Sequence, residues 1–551
     1  MDVNQVIVKV LEDIGVGHVF GGSGQVNASM LLALRDSKKI KTIIIRNEQA
    51  ASFMACGYAM FNPKNLGVCF ATGGPGAFNL FSGMAVAYSD SLPILGITGY
   101  TSMNQRGKGA LNESTGLSRT PDSHAMFSAT TKKSYIIERS EDTCDILEDA
   151  INTAFEGRPG PVHIHIPKDI TTAHVPNYRQ IHVHISPVLP KSVQILKAAD
   201  LLSDAIEQKK KVMVIIGYGC IRSEADFEIK TLINKYQIPY TQTMDAKGFL
   251  PENSPLCLGV FGTSGDQAAV SYFKDADCVL AMGNSFAQNA TFGFKPDLFK
   301  GKKVIHINID SHEIGKVYKP DVGILSDIKP AVVAITEELA KRNLLPLSIQ
   351  LPKGKFFEEA PHNGAKKIYP GDLVRILSEN LPKDAIVMGD AGSHMLWLSC
   401  FLQLNKNNRY QNPGSFGPMA SNTNGAIGVK CANMDKVVIA GVGDGCYQMA
   451  GFELLTAVQN NIPVIWIIFD NSEFNIIKKF LLNMYNDYAF MSFRNPDYVK
   501  YAESCGAMAY KVSKIDEFRP ALLKAISSNR PCIIDVVVDN EVYPIFNLGS
   551  K

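Results

Sequence analysis

Asp444 and Asn471 are the residues whose types and spacing first suggest chemistry. Asp444 closes the apolar run that begins Val437–Val442, Asn471 closes Val464–Phe469, and the 27 residues from 444 to 471 leave room for one crossover helix. If both runs are parallel strands, both side chains stand at the same carboxyl edge of a sheet, where open α/β folds bind ligands. Gly443 and Gly445 flank Asp444. They permit a tight turn and close approach of an anion to the N–H groups that open the next helix. A carboxylate, an amide oxygen and such a helix end make a receptacle for Mg²⁺ bridging a diphosphate, because Mg²⁺ takes one or two protein carboxylates and completes its octahedron with phosphate and water oxygens. Taken singly, Gly443-Asp-Gly445 and Asp470-Asn471 are ordinary turns; their strand-helix-strand spacing makes the case.

Other chemistries find less support. The eleven histidines include no His-Glu-x-x-His; His163 and His165 alternate within Pro161–Pro167 and read chiefly as one face of a structural strand, with a metal site as the lesser alternative. Eleven cysteines, from Cys56 to Cys532, contain no Cys-x-x-Cys. They read as reduced thiols of a cytoplasmic protein and not as a disulfide framework or a thiolate zinc site. With 55 basic and 53 acidic residues the net charge is +2, and only 20% of residues are charged. Neither a nucleic-acid-binding face nor an acidic disordered chain is expected. No apolar run approaches the roughly 18 residues of a membrane span. Val3, Val6, Ile7, Val10, Leu11 and Ile14 follow a helical period without a basic segment before them, as in a structural helix.

The elements that must position Asp444 and Asn471 recur along the chain. Short Val/Ile-rich runs such as Lys211–Ile216, Cys278–Met282 and Lys303–Ile309 alternate with longer helical patterns, which predicts parallel sheets with crossover helices. Thr171–Lys191 and Leu345–Pro370, rich in proline and polar residues, read as linkers. They divide the 551 residues into about 1–185, 190–345 and 365–551, each long enough for its own α/β domain. In the first third, Val68–Thr72 leads through Gly73-Gly-Pro-Gly76 and a helix to Pro93 and Ile94–Thr98. In the last third, Val437–Val442 leads through Gly443-Asp-Gly445 and a helix to Pro463 and Val464–Phe469. Gly76 to Pro93 spans 17 residues and Gly445 to Pro463 spans 18, which suggests two copies of one β-turn-α-β unit.

Gly443-Asp-Gly445 through Asp470-Asn471 resembles the diphosphate-binding signature of thiamine-diphosphate enzymes. Arg46-Asn-Glu-Gln-Ala-Ala51, Ala71–Ala77 with Asn79, Arg158-Pro-Gly-Pro-Val162 and Gly392-Ser-His-Met-Leu-Trp397 are similar, in order along nearly the whole chain, to the acetohydroxyacid synthase branch of that superfamily. The resemblance implies an α/β protein of three doubly wound parallel-sheet domains, the first and third related as pyrimidine- and diphosphate-binding domains. It implies thiamine diphosphate and Mg²⁺ as cofactors, the metal being held by Asp444, Asn471 and the backbone carbonyl of Glu473. Ser393, His394, Gly443, Gly445 and Cys446 would surround the diphosphate. Gly417 would accept a hydrogen bond from the cofactor amine through its carbonyl, and Met419 would wedge the cofactor into its bent shape, although a methionine is also an ordinary core filler. Thr72, Pro75 and Asn79 would lie near the pyrimidine, and Ile476 beside the cofactor.

Glu48 is where the chemistry would turn. By the resemblance it protonates the aminopyrimidine ring, work that favours a carboxylate shielded from water; standing alone it would read as an acidic residue opening a helix. The implied reaction removes CO₂ from a 2-oxo acid such as pyruvate and ligates the remaining unit to a second carbonyl compound. Family geometry sets the glutamate domain of one chain against the diphosphate domain of another, implying a homodimer or homotetramer.

The substrate side departs from the pattern. Gly24 and Asn112 would face the substrate, with Asn112 replacing a glutamine; Phe480 replaces a tryptophan, Ile476 a methionine and Asn47 a histidine. Flavin-binding members carry Arg-Phe-Asp-Asp-Arg where this chain has Gly283-Asn-Ser-Phe-Ala-Gln-Asn289. Losing those charges removes charge-assisted contacts, so the residues weigh against FAD. A 2-hydroxyacyl-CoA lyase, a flavin-dependent 2-oxo acid oxidase and a non-catalytic cofactor-binding protein are the competing readings.

Overall fold

The computed structural model describes residues 1–355, 362, 367–404 and 407–542. Its central strands are short apolar runs buried on both faces, as parallel sheets covered by helices require, while edge strands such as Lys41–Ile44 and Met508–Val512 are partly exposed. They form three six-stranded sheets in which every pairing is parallel. The first contains β1 (His18–Gly21), β2 (Lys41–Ile44), β3 (Gly67–Ala71), β4 (Ile94–Tyr100), β5 (Lys133–Ile136) and β6 (Val162–Pro167), in the order β2-β1-β3-β4-β6-β5. The central sheet contains β7 (Val212–Ile216), β8 (Tyr240–Thr243), β9 (Cys257–Phe261), β10 (Cys278–Met282), β11 (Lys303–Asn308) and β12 (Val322–Leu325), in the order β12-β11-β10-β7-β8-β9. The third contains β13 (Ile386–Gly389), β14 (Arg409–Gln411), β15 (Val438–Gly443), β16 (Val464–Asp470), β17 (Met508–Val512) and β18 (Cys532–Val537), in the order β14-β13-β15-β16-β18-β17.

The first and third sheets therefore share one winding, while the central sheet follows another. The two copies of the β-turn-α-β unit are β3 to β4 and β15 to β16. The first is bridged by one helix, Pro75–Ser89, and the second by two, Asp444–Ala450 and Glu453–Gln459.

Two helices tie the outer sheets together. In Glu48–Met60 every residue from Ala50 on is buried, and in Ser421–Ala432 every residue through Cys431 is buried. Helices buried all round in this way lie inside a core. These two lie backbone against backbone: a Cβ on Gly57 would sit 2.0 Å from the Gly425 carbonyl oxygen, and one on Gly428 would sit 1.8 Å from that of Met54. Phe53, Met54, Ile427 and Val429 thereby join one hydrophobic cluster spanning both domains.

Where they are described, the segments expected as linkers are strapped to the domains by apolar side chains. Between β6 and the helix Ser192–Glu207 the chain has no helix or strand, yet Val175 and Ile181 are buried against the first domain and the Val188 N–H bonds Asp327 of the central one. In the second strap Leu347 packs on the central core; residues 356–361 and 363–366 lie outside the described residues. All eleven cysteines are buried and free. Burial pushes Cys257 up to about 11 and Cys69 and Cys278 up to about 12. His163 and His165 do share one face of β6, where both ring systems bond the Thr98 hydroxyl; Ser134 and Ser123 take the remaining ring nitrogens. No helix of the described residues is long and apolar enough to cross a membrane.

The helix crossing yields a test. Gly428→Ala is expected to destabilise the protein by about 1–3 kcal/mol, the usual range for overpacking. Gly425→Ala, whose Cβ would meet nothing nearer than 3.4 Å, is expected to cost less. Thermal unfolding midpoints of the two variants check the order.

Candidate active site

At the carboxyl edge of the third sheet, β15 and β16 run parallel with Gly443 opposite Phe469, so the chain leaves both strands at the same level. Asp444 is buried, 3% exposed, and its carboxylate is held from several sides. Oδ1 accepts the Gly445 N–H at 2.9 Å; Oδ2 accepts the N–H groups of Asn471 and Ser472, and Asn495 Nδ2 at 2.8 Å. Burial raises the Asp444 carboxyl above the usual carboxylate range, while Asn495 and these N–H groups pull it back. Asn471 Oδ1 accepts the Glu473 N–H. The Glu473 side chain is occupied by Lys478, at 2.9 Å, in a nearly buried pair. Among the described residues no three His, Cys, Asp or Glu side chains converge as in a protein-only metal cage. One carboxylate with amide and carbonyl oxygens is the hard donor set that suits Mg²⁺ completing its shell with phosphate and water, so these residues fit that metal.

Next to it, Gly392 precedes the helix Ser393–Phe401, whose second residue is His394. The imidazole packs so closely between two glycines that a Cβ on Gly443 would lie 2.8 Å from its Nδ1, and one on Gly392 2.6 Å from its Cε1. Burial pushes His394 down to about 3, so the ring is neutral near pH 7, and its Nε2 has no hydrogen-bond partner. An orphaned ring nitrogen beside a Gly-Asp-Gly turn fits a bound polar group such as a diphosphate. The Cys446 thiol donates to the Ala391 carbonyl, leaving only its backbone to face a ligand. Above the turn, the Met419 methyl and the Phe474 ring approach within 3.2 and 2.9 Å of where a Gly445 Cβ would stand. Gly417 has a φ of +50°, and Ile476 packs with Met395, Leu396 and Met244.

The first sheet carries a second group. Glu48 opens its helix, with Asn47 as N-cap, and its Oε2 accepts Asn79 Nδ2 at 2.9 Å. Around it, a Cβ on Gly76 would meet Glu48 Oε1 at 3.2 Å, and one on Gly24 would meet Thr72 at 2.3 Å. Pro75 is the first residue of its helix, and Asn112, itself at φ +60°, lies against Gly74. Gly24, Glu48, Thr72, Pro75, Asn79 and Asn112 are thus gathered at one sheet edge. Glu48 is only half-buried, so this chain alone does not shield it from water. Phe480, on the helix Asn475–Tyr485, is 54% exposed. The Glu48 and Asp444 groups share no described contact.

A third feature lies in the central domain. A cavity of about 890 Å³ sits not over Asp444 but outside the carboxyl ends of β7 and β10, where the strand order reverses. Gly217–Gly219, Gly283–Ser285, Arg158 and Asn412 line it. Within Gly283–Asn289, Phe286 turns into the core against His306 and Tyr318, and no side chain is charged.

A carboxylate-asparagine edge and a glutamate-asparagine edge stand on two sheets of identical winding, and the chain matches all three domains of thiamine pyrophosphate enzymes. Residues 1–120 match the N-terminal TPP binding domain of thiamine pyrophosphate enzymes, 198–335 the central domain and 390–536 the C-terminal TPP binding domain. Along 99% of its length the chain is 31% identical to the acetolactate synthase large subunit of Corynebacterium glutamicum, covering 88% of that protein. It is 32% identical, again along 99%, to the probable acetolactate synthase large subunit of Methanocaldococcus jannaschii, covering 94% of it. The chain belongs to the acetolactate synthase large-subunit family.

Asn495 and Phe474 escape a reading of the sequence, because nothing in their spacing marks them; only the fold brings Asn495, 51 residues on, to Asp444. Asn495 also donates to Asp470, so it spaces two like charges. Asn495→Ala is expected to weaken magnesium-dependent binding of thiamine pyrophosphate about 10–100-fold, the usual effect of losing a residue that orients a metal ligand. Calorimetric titration checks it.

Proposed function

We propose that the protein is a carboligase of the acetolactate synthase type, which releases CO₂ from a 2-oxo acid such as pyruvate and joins the remaining acyl unit to a second carbonyl compound. The observation that carries this reading is the intact pair of half-sites, Glu48 with Asn79 and Asp444 with Asn471, on a chain that aligns along 99% of its length with acetolactate synthases. When bound, thiamine pyrophosphate supplies the nucleophilic carbon and the electron sink.

The chain's residues do the rest. Asp444, Asn471 and the Glu473 carbonyl would hold Mg²⁺, and Ser393, His394, Gly443, Gly445 and the Cys446 backbone would seat the diphosphate. Met419 and Ile476 would support the ring system from below, and the Gly417 carbonyl would accept its amine. Thr72 and Pro75 would line the pyrimidine. Glu48 would hold the proton exchanged with the pyrimidine nitrogen, its carboxylate aimed by Asn79. Gly24, Asn112 and Phe480 would select the substrate; Asn112 reaches one methylene less far than glutamine, so its hydrogen bond is aimed differently.

A homodimer, alone or paired into a homotetramer, is supported by the division of the site: Glu48 is half-buried and, among the described residues of its own chain, makes no contact with the Asp444 group. Exposed Phe416, Phe452 and Phe480 flank the Asp444 half and offer apolar surface for a second copy to cover. The central cavity has room for a nucleotide-sized ligand, but Gly283–Asn289 offers no charge to hold a flavin dinucleotide, and we read the activity as flavin-independent. Eleven buried free thiols accord with a reducing, cytoplasmic setting.

The test is direct. Protein supplied with Mg²⁺, thiamine pyrophosphate and pyruvate is expected to yield CO₂ and an acetohydroxy acid identified by mass, and to show no flavin absorbance. Glu48→Gln should abolish turnover with the fold intact. Failure to release CO₂ from every 2-oxo acid in a broad panel sinks the proposal.

A further inference from the structure

The two residues before Glu48 leave the edge strand β2 with backbone N–H groups that the sheet does not use. Both donate to one atom of another domain: Glu453 Oε1 accepts the Arg46 N–H at 2.9 Å and the Asn47 N–H at 3.0 Å. Glu453 is 3% exposed and opens the second of the two helices that follow Asp444; its Oε2 accepts the Thr456 hydroxyl at 2.5 Å. The Arg46 side chain doubles the attachment, with Nη1 on Thr456 Oγ1 at 2.9 Å and Nη2 on Gln459 Oε1 at 2.6 Å. Asn47 is extended, φ −141° and ψ 132°, and its side chain caps the Gln49 N–H. The direction in which the first helical turn sets out, and with it the Glu48 side chain, therefore depends on where these two peptides are pinned.

We propose that Glu453 is the positioning residue for Glu48, acting as a fixed acceptor that sets the Glu48 carboxylate at its working angle. Asn79 aims the carboxylate from within its own domain; Glu453 fixes the backbone beneath it from the diphosphate domain. The inference rests on the role of Glu48 proposed above. It differs from simple interdomain adhesion in what it predicts, because an adhesive contact affects stability and cofactor affinity, whereas a misaimed Glu48 affects the proton-transfer step.

The experiment compares Glu453→Gln, Glu453→Asp and Glu453→Ala in the full chain. Two readouts are taken: amide hydrogen exchange of the peptide spanning residues 44–50 in cofactor-free protein, and kcat with pyruvate alongside the rate of deuterium exchange at C2 of bound thiamine pyrophosphate. Gln keeps the accepting oxygen and is expected to retain both protection and most of kcat. Asp keeps the charge but withdraws it by one methylene; it and Ala are expected to lose protection, with kcat and C2 exchange falling on the order of a hundredfold, as a small misplacement of a catalytic group does, at little change in cofactor affinity. The Asp–Gln comparison stands even if the Ala protein does not fold. The proposal is overturned if Asp retains more kcat than Gln, since charge and not acceptor position would then matter, or if every variant exchanges and turns over like wild type. A wild-type protein without turnover would defeat the proposed function instead; the exchange readout then decides the pinning, and a Gln variant as unprotected as Asp overturns it.

Discussion

The arrangement depends on one crossing of two helices at backbone distance. Glu48–Met60 begins with the residue proposed to hold the exchanged proton, and Ser421–Ala432 begins two residues after Met419 of Gly417-Pro-Met419. Because Gly57 and Gly428 let the backbones touch carbonyl to Cα, neither helix can slide or rotate without a clash that interiors packed at crystal density do not absorb. The two half-sites are thus set at opposite ends of one rigid core, and neither needs a dedicated scaffold.

The third domain's edge shows how a buried carboxylate is kept in place by its own chain. Asp444 is the acceptor for three backbone N–H groups and the Asn495 amide, a network whose donors come from the strand turns on either side. Fully satisfied polar networks of this kind rigidify a site; partly satisfied ones destabilise it. His394 is the counterexample nearby, with one ring nitrogen left unpaired beside the Gly443-Asp-Gly445 turn.

Much of this was legible in the sequence where a single local rule applies. The runs ending at Asp444 and Asn471 read as parallel strands because burial on both faces leaves them apolar throughout, and the 17- and 18-residue spacings anticipated the common winding of the outer sheets. The different strand order of the central sheet was not legible, since permuting parallel strands leaves the alternation of strand and helix unchanged. Asn495 and Glu453 were not legible either. An asparagine before a proline and an acid opening a short helix each have an ordinary local reading, and their partners lie 51 and 407 residues away along the chain. For the linker stretches, proline and polar content signalled the lack of regular structure, but not the few apolar side chains, such as Ile181 and Leu347, that strap them down.

The distribution of thiols has a practical corollary. Cys56, Cys69 and Cys144 belong to the first domain, Cys220, Cys257 and Cys278 to the central one, and the remaining five to the third, all of them buried. A water-borne alkylating reagent meets none of them until the surrounding layer parts, so the order in which the eleven are tagged records the sequence in which the three layers come undone. The chain carries, in ordinary side chains, a built-in clock for its own disassembly.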